Sequence, residues 1–368
     1  KHRLNATTAT APISNEQNND KTSHTFRFIF MSYSMYCLEN NTVLAELYQD
    51  ASILPGLLYG STGLGISLWL SQQITDSDFF RKSIQGLGRI SSDLSIEQGI
   101  TGVGIAINLL FLKKHGKQLS GILNEIDAKV YQQTAYHSNI PTSALYGSII
   151  YFCHRLKYDQ AMPNVLRTIL SQHTSALTEI FTQRFLESAD VDYRYSMLHF
   201  PSLFVYTLSS VLSSLPDKTI WKNKIKALIP KIVEVYPYIA GNRLLYWIAL
   251  SRLSHSIEGN AEIDTHLSTL EHSISEQSLL DGVNGNVYWG EGVCGIYCMA
   301  RNFPQIKNHI GEFSCEIESI INSSNEIQHL RDTNYLKNHS SLWNGVAGLK
   351  LTGLLMKTDR FRYGYTKR

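Results

Sequence analysis

The sequence predicts an all-α fold built from repeated helical hairpins, and three observations support this prediction. Apolar residues recur with a helical period, as at Val43, Leu44, Leu47 and Tyr48, and similar stripes continue to the C-terminus. Alternating strand patterns with hairpin dipeptides are nearly absent, and proline is scarce in the periodic segments. A short glycine motif also repeats along the chain at a spacing typical of stacked helical hairpins or rings.

The glycine motif consists of two glycines three residues apart, followed by an apolar helical run. Its clear copies are Gly60–Ile66, Gly99–Ile105, Gly292–Ile296 and Gly345–Leu349. Weaker copies begin at Ala144, Phe200 and Gly241, so that seven units follow one another at roughly 40 to 55 residues. Two small residues one turn apart let the start of a helix approach a neighbouring backbone closely. Each unit is therefore predicted to supply one inner helix, opened by the motif, and one outer helix.

Composition and charge narrow the class of protein. The 368 residues carry 33 Lys and Arg against 31 Asp and Glu, for a formal net charge of +2. The chain thus has no global basic field for holding nucleic acid or an anionic bilayer. Its five cysteines are scattered without a CxxC pair, which predicts a reducing, cytoplasmic location. No apolar run near the N-terminus reaches the roughly 20 residues of a transmembrane segment.

The domain organisation follows from the position of the repeats. Residues 1–30 are predicted to be a disordered extension, because they are polar and lack apolar periodicity. Residues 31–368 are predicted to form a single domain. The units cannot bury their apolar faces alone, so we expect them to close on one another within this domain.

Seven Gly-x-x-Gly helical units, ending in Gly345-Val346-Ala347-Gly348-Leu349, resemble the lanthionine synthetase C-like family. The resemblance covers roughly residues 41–368 and implies an α/α toroid, a double ring of inner and outer helices. Active members hold a zinc ion at the barrel mouth, which activates cysteine thiols of a precursor peptide for addition to dehydrated Ser or Thr residues. The resemblance thus implies a role in lanthipeptide-type maturation, with a precursor peptide and a dehydratase or other maturation enzyme as partners.

The residues at the family's zinc positions lack suitable donor atoms. The family has a Cys two residues before the first glycine of the sixth unit and Cys-His directly before that of the seventh. The corresponding residues are Gly290, Trp343 and Asn344, and none supplies a thiolate or an imidazole. An acidic residue that the family has just upstream of the third unit falls at Ile140, with Asn139 the nearest polar side chain. We therefore expect no metal and no other cofactor.

The residue directly before each motif is polar in six of the seven units, although the flanking segments are apolar. These residues are Tyr59, Gln98, Ser143, His199, Ala240, Glu291 and Asn344. If the inner helices start at one end of the barrel, these side chains encircle one mouth, as convergent polar groups do in a binding site. Ser143 and Asn344 fit equally well as helix caps.

Two members of this ring have side chains suited to proton transfer. His199 stands where the family has the His assigned to that step, and Glu291 is ionisable as well. A free cysteine thiol has a pKa of about 8.5, so a base has to replace the Lewis acid if the chain forms thioethers without zinc. The predicted catalytic residues are His199 and Glu291. The predicted peptide-binding residues are Tyr59, Gln98, Ser143, Asn344 and Trp343, the last of which fits an aromatic floor or the core equally.

Three other functions stay open. The chain can be a scaffold without catalysis. It can be an active zinc-dependent thioether cyclase with a relocated site at Cys294, Cys298 and His339, although two small side chains packed on a helix face explain the cysteines more simply. It can also be a carbohydrate-active α/α toroid, which needs two carboxylates at roughly 5 to 10 Å; Glu97 and Glu291 are the candidate pair.

Overall fold

The secondary structure is helical throughout the part of the chain that the structure describes. A computed structural model describes residues 41–136, 140–158, 164–188, 193–215, 218–329, 336 and 338–362. No strand occurs in these residues, which confirms the all-α prediction. The predicted extension, residues 1–30, and Asn139 lie outside the described residues.

The helices follow one another along the chain from residue 41 onward. In order they are α1 (Asn41–Gln49), α2 (Ser61–Leu70), α3 (Asp76–Ile84), α4 (Ile100–Tyr136), α5 (Thr142–Tyr158), α6 (Asn164–Ser188), α7 (Phe200–Ser214), α8 (Thr219–Glu234), α9 (Ala240–Ile257), α10 (Ala261–His272), α11 (Glu276–Asp281), α12 (Val293–Ala300), α13 (Pro304–Lys307), α14 (Ile310–Ser323), α15 (Asn325–His329) and α16 (Val346–Arg362). A 3-10 helix, Leu87–Ile90, lies between α3 and α4. None of the described helices combines the length and apolarity needed to cross a lipid bilayer.

Local side-chain caps define where several helices between the motifs begin. At the start of α3, the hydroxyl of Thr75 accepts a hydrogen bond from the N–H of Asp78, whose carboxylate accepts one from the N–H of Thr75. At the start of α10, the side-chain oxygen of Asn260 accepts from the N–H groups of Glu262 and Ile263. Each such cap stabilises its helix by about 1 kcal/mol. These helices are therefore delimited by their own sequences.

Helix α4 extends over 37 residues, where the sequence predicts two helices. A Cβ added at Gly104 would lie 2.4 Å from Cε2 of Tyr151, so the two residues are in direct contact. The hydroxyl of Tyr151 donates to Oδ1 of Asp127 at 2.6 Å. In a straight α-helix residues 104 and 127 would be about 35 Å apart, far more than one tyrosine spans. The chain therefore reverses direction between them.

The helices that follow the glycine motifs pack on one another in chain order. Helix α4 contacts α5, α5 contacts α7, α7 contacts α9, α9 contacts α12, and α12 contacts α16. The last of them, α16, packs against the first, α2. Fully buried side chains connect these helices to the ones between them: Phe204 of α7 stacks on Phe181 of α6, and the hydroxyl of Tyr246 of α9 donates to the carbonyl of Ile232 in α8. Burial of each such side chain stabilises the fold by about 1.5–3 kcal/mol. Residues Thr42–Arg368 thereby form one compact unit.

Two buried polar contacts connect α5 to its neighbours. The guanidinium of Arg155 forms an ion pair with the carboxylate of Asp127 in α4, at 2.7 Å between Nη2 and Oδ2. The hydroxyl of Ser148 lies 2.6 Å from Nδ1 of His173 in α6. Burial lowers the pKa of the His173 imidazole to about 4, so this ring is neutral at pH 7.

Candidate functional site

The four clear glycine motifs begin with the same turn. In each, the N–H of the first helical residue donates to the carbonyl oxygen seven residues earlier, at 2.8 to 2.9 Å. The donor and acceptor pairs are Ser61 and Leu54, Ile100 and Asp93, Val293 and Asn286, and Val346 and His339. We call residues 54–60, 93–99, 286–292 and 339–345 the lead-in turns.

The second glycine of each motif presses its helix against its own lead-in turn. A Cβ added at Gly102 would lie 2.1 Å from the carbonyl oxygen of Ile96. The equivalent contacts, at 2.0 to 2.3 Å, are with the carbonyl oxygens of Leu57 at Gly63, Trp289 at Gly295 and Leu342 at Gly348. A side chain at these positions would overlap the backbone. The second glycine is thus required because the helix closely approaches a backbone, and that backbone is its own lead-in turn.

Backbone hydrogen bonds join the lead-in turns side by side. The N–H of Leu58 donates to the carbonyl of Glu97 at 2.9 Å, and the N–H of Trp343 donates to the carbonyl of Leu58 at 3.0 Å. The N–H of Gly290 donates to the carbonyl of Trp343 at 2.8 Å. Each of these bonds joins the fifth residues of two turns. Along this row the units follow in the order second, first, seventh and sixth.

The loop before α7 and the start of α9 lie on the same surface. The N–H of Met197 donates to the carbonyl of Gly290 at 2.9 Å. The side chain of Asn242, in the first turn of α9, accepts from the N–H of Ser196 and donates to the carbonyl of Arg194, both at 3.0 Å. We call this surface the turn face; it comprises the lead-in turns, residues 193–199 and residues 235–239.

The sequence-predicted ring residues occupy equivalent places on the turn face in the four clear units. Each is the sixth residue of its turn and directly follows the hydrogen-bonded position: Tyr59, Gln98, Glu291 and Asn344. Three of these residues are exposed, and Glu291 is partly buried. The polar ring is thus a property of one repeated turn in these units.

The three weaker units present their predicted residues differently. His199 is the N-cap residue of α7. Ser143 is exposed but lies inside the first turn of α5, and Ala240 is buried as the first residue of α9. Gly147 presses on the carbonyl of Leu94 in the preceding unit, with an added Cβ at 1.9 Å. These units therefore do not repeat the lead-in turn of the clear ones.

An aromatic contact occupies the positions that the resemblance predicts for the zinc ligands. A Cβ added at Gly290 would lie 2.1 Å from the indole of Trp343, so the indole lies directly on the glycine. Trp343 is 5% exposed, and its ring centroid is 6.1 Å from that of Tyr59. The side-chain oxygen of Asn344 accepts a hydrogen bond from the hydroxyl of Ser341. These residues do not fit a zinc ion, because they offer no thiolate or imidazole and the indole fills the space beside residue 290.

The residues of the relocated zinc site have other contacts. Cys294 is fully buried, and the sulfur of Cys298 accepts a hydrogen bond from the indole N–H of Trp289 at 3.2 Å. Burial raises the pKa of the Cys298 thiol, which disfavours the thiolate that a metal needs. The ring of His339 stacks on Tyr288 at 6.2 Å. Within the described residues, no three His, Cys, Asp or Glu side chains are grouped to hold a metal ion.

Charged side chains gather around Tyr59. The guanidinium of Arg194, 75% exposed, lies 3.2 Å from the carboxylate of Glu291. Burial, and then the carboxylates of Glu291 and Glu97, raise the pKa of the Tyr59 phenol, while Arg194 acts in the opposite direction. Burial also raises the pKa of the Glu97 carboxyl. Side chains from the first, second and sixth units therefore share one site with Arg194.

His199 lies in the same loop as Arg194 but has its own partners. Its Nδ1 is 2.7 Å from the hydroxyl of Ser202, and its backbone N–H donates to the carbonyl of Ser196. A contact of this kind orients an imidazole for proton transfer. The two predicted catalytic residues thus lie on one surface, His199 oriented by Ser202 and Glu291 paired with Arg194.

Sequence reasoning missed Arg194, which completes the charged site. It lies five residues before His199, in a loop without the lead-in turn, so no repeat position marks it. The hydrogen bond from Asn242 joins this loop to the fifth unit, and the one from Met197 joins it to the sixth. Only these long-range contacts identify Arg194.

No protein-family model matches this chain, and no curated protein is similar to it.

Proposed function

We propose that the chain is a lanthionine synthetase C-like α/α toroid that binds a precursor peptide at its turn face and acts in peptide maturation without zinc. In this proposal the turn face is the barrel mouth. The observation that carries it is the row of hydrogen-bonded lead-in turns. This row brings Tyr59, Glu97 and Glu291 together, and Arg194 of the loop before α7 pairs with Glu291 beside them.

Closure of the helices into a ring is supported by contacts between the last unit and the first. Helix α16 packs on α2, and the N–H of Trp343 donates to the carbonyl of Leu58. A closed ring gives the protein a single mouth at which side chains from several units converge, as ligand sites in proteins do.

The chemistry of the turn face suits a peptide. The exposed amides of Gln98 and Asn344 can donate to and accept from a peptide backbone. The phenol of Tyr59 and the Arg194–Glu291 ion pair add aromatic and charged contacts. Such polar groups at fixed positions on an aromatic surface are what orients a flexible ligand.

A metal-independent step at this site is addition of a cysteine thiol to a dehydrated residue. A base takes the thiol proton, the sulfur bonds to the β-carbon of the dehydroalanine, and the α-carbon receives a proton as the double bond becomes single. Atoms and electrons balance without an oxidant or cofactor. His199 and Glu291 are the proposed proton carriers, since both are ionisable and lie on the turn face. The same binding without this step makes the protein a scaffold for a partner enzyme.

The test uses the whole protein, treated with a chelator, and a synthetic peptide that contains one cysteine and one dehydroalanine. Binding is measured by isothermal titration calorimetry, and free thiol by alkylation and mass spectrometry. We expect the protein to bind the peptide. If it is catalytic, the peptide loses its thiol faster than in buffer, and His199→Asn or Glu291→Gln lowers the rate of this loss about 100-fold. The control His255→Asn changes an exposed histidine of α9. A protein that neither binds the peptide nor consumes its thiol contradicts the proposal.

A carbohydrate-active toroid is the second candidate. It is favoured because the carboxylates of Glu97 and Glu291 both raise the pKa of the Tyr59 phenol. It predicts hydrolysis of nitrophenyl glycosides that Glu97→Gln and Glu291→Gln each abolish. An active zinc cyclase instead predicts stoichiometric zinc in the purified protein, lost on replacing Cys294 or Cys298.

A further inference from the structure

Exposed tyrosines concentrate on the turn face. Tyr59, Tyr193, Tyr236 and Tyr238 are 40%, 83%, 49% and 81% exposed, and all lie in segments that lead into motif helices. We call these four residues the rim tyrosines. Among the described residues the other exposed tyrosine is Tyr131, on α4. Fixed, exposed tyrosines grouped on one surface are typical of interaction sites, because they offer a large contact area at a small entropic cost.

The backbone beneath the rim tyrosines is held in place. The guanidinium of Arg243 donates to the carbonyls of Pro237 at 3.2 Å and Tyr238 at 2.6 Å. It also lies 5.5 Å from the ring centroid of Tyr236. The amide of Asn242 fixes the carbonyl of Arg194, next to Tyr193. The rings are thus presented on ordered loops, which lowers the entropy lost when a ligand binds.

The charges next to the rim tyrosines favour a basic ligand. The carboxylates of Glu97 and Glu291 raise the pKa of the Tyr59 phenol, and Arg194 lowers it. Arg243 lies against Tyr236, but its N–H groups donate to the carbonyls of Pro237, Tyr238 and Ser273. Within the described residues Glu97 forms no ion pair, and the arginine that pairs with Glu291 is largely exposed. Carboxylates beside aromatic faces bind guanidinium and ammonium groups through ion pairing and cation–π contact.

The protein uses the same chemistry within its own fold. The guanidinium of Arg252 lies 4.6 Å from the ring centroid of Tyr206, and the ammonium of Lys224 lies 4.6 Å from that of Trp221. One face of Tyr236 already takes Arg243, while the ring stays half exposed. Basic side chains of a ligand can therefore meet ring faces of the kind that this protein already pairs with cations.

We propose that the rim tyrosines, with Glu97, form a docking surface for an unstructured peptide segment that carries several Lys or Arg side chains. The inference rests on the proposed function in that this segment belongs to the precursor peptide. Basic side chains lie on the tyrosine rings and one reaches the carboxylate of Glu97 beside Tyr59. Within the precursor peptide, the docked segment is separate from the cysteine and the dehydrated residue that react.

The test measures fluorescence anisotropy of a labelled peptide of alternating Arg, Gly and Ser, and of a matched peptide with Glu in place of Arg. We expect saturable binding of the basic probe that weakens as salt rises, and binding of the acidic probe at least about tenfold weaker. Tyr193→Ser and Tyr238→Ser are each expected to weaken binding roughly fivefold. Glu97→Gln is expected to weaken it by a similar factor.

Two matched controls keep the result specific. Tyr131→Ser changes the exposed tyrosine outside the turn face, and Glu262→Gln changes an exposed carboxylate of α10. Both are expected to leave the affinity unchanged. The docking proposal is overturned if the acidic probe binds as tightly as the basic one, if a control weakens binding as much as Tyr238→Ser, or if the basic probe does not saturate.

The two proposals fail in different assays. The basic probe contains neither cysteine nor dehydroalanine, so its binding is independent of thiol addition. Thiol loss from the dehydroalanine peptide without preference for the basic probe contradicts the docking surface and retains the proposed function. Preference for the basic probe, with no binding of the dehydroalanine peptide and no thiol loss, retains the surface and contradicts the maturation role.

Discussion

Gly102 and Gly121 both lie between Ile100 and Tyr136, the range of α4, and we expect replacement by alanine to have opposite effects at the two positions. At Gly102 the new Cβ would lie 2.1 Å from the carbonyl oxygen of Ile96 and 2.9 Å from Cβ of Leu57. Ordinary contacts begin at 3.4 Å, so the Ile96 carbonyl has to retreat by more than an ångström. Overpacking of this kind costs about 1–3 kcal/mol, and alanine regains about 1 kcal/mol of helix propensity.

The expected net loss at Gly102 is about 2 kcal/mol, towards the upper end because the obstructing atom belongs to the backbone of a hydrogen-bonded turn. At Gly121 nothing lies within 4 Å of the added Cβ, so Gly121→Ala is expected to stabilise the protein by about 0.5–1 kcal/mol. Urea denaturation of the two variants and the wild type measures both changes. An unfolding midpoint of Gly102→Ala at or above that of the wild type refutes the close-approach account of the motif.

Three further perturbations test the core and the site. Asp127→Asn is expected to lower the free energy of unfolding, measured by urea denaturation, by about 3–5 kcal/mol, because it leaves the guanidinium of Arg155 buried without its counter-charge. If the double variant Asp127→Leu, Arg155→Met loses as much stability, this explanation is contradicted. His173 has a pKa lowered by burial to about 4, against about 6.5 in the unfolded chain. The unfolded state therefore binds more protons between these values, and stability is expected to fall by up to about 1.4 kcal/mol per unit as pH decreases from about 6.5 to 4. In His173→Asn, the dependence of the urea midpoint on pH should be flatter, and an unchanged slope counts against the assignment. Gly290→Ala is expected to push the Trp343 indole outward, so that acrylamide quenching of tryptophan fluorescence increases; unchanged quenching contradicts the contact.

The helices are predictable from the sequence because their signals are local. Apolar periodicity identifies them, and even the weak motifs at Phe200 and Gly241 lie within a residue of the starts of α7 and α9. The hairpin predicted for the second unit falls within α4, which is helical from Ile100 to Tyr136. The reversal within it is indicated only by the contacts of Tyr151 with Gly104 and Asp127.

The candidate site is only partly predictable. Tyr59 and Glu291 stand at a repeat position, so counting along the motifs finds them. Arg194 occupies no repeat position and reaches Glu291 only because Met197 bonds to Gly290. Whether His199 and Glu291 act in catalysis stays a prediction, which the thiol assay decides.

The sequence by itself determined the helical class, the glycines that allow close approach, and the absence of thiolate or imidazole donors at Gly290, Trp343 and Asn344. These properties depend on residue type and on spacing within a unit. Only the tertiary structure decided which turns are neighbours and how Gly290 and Trp343 meet, namely with the indole lying on the glycine. The reason is physical: the bond from Trp343 to Leu58 joins residues far apart in the chain, and its formation depends on the packing of all the helices between them.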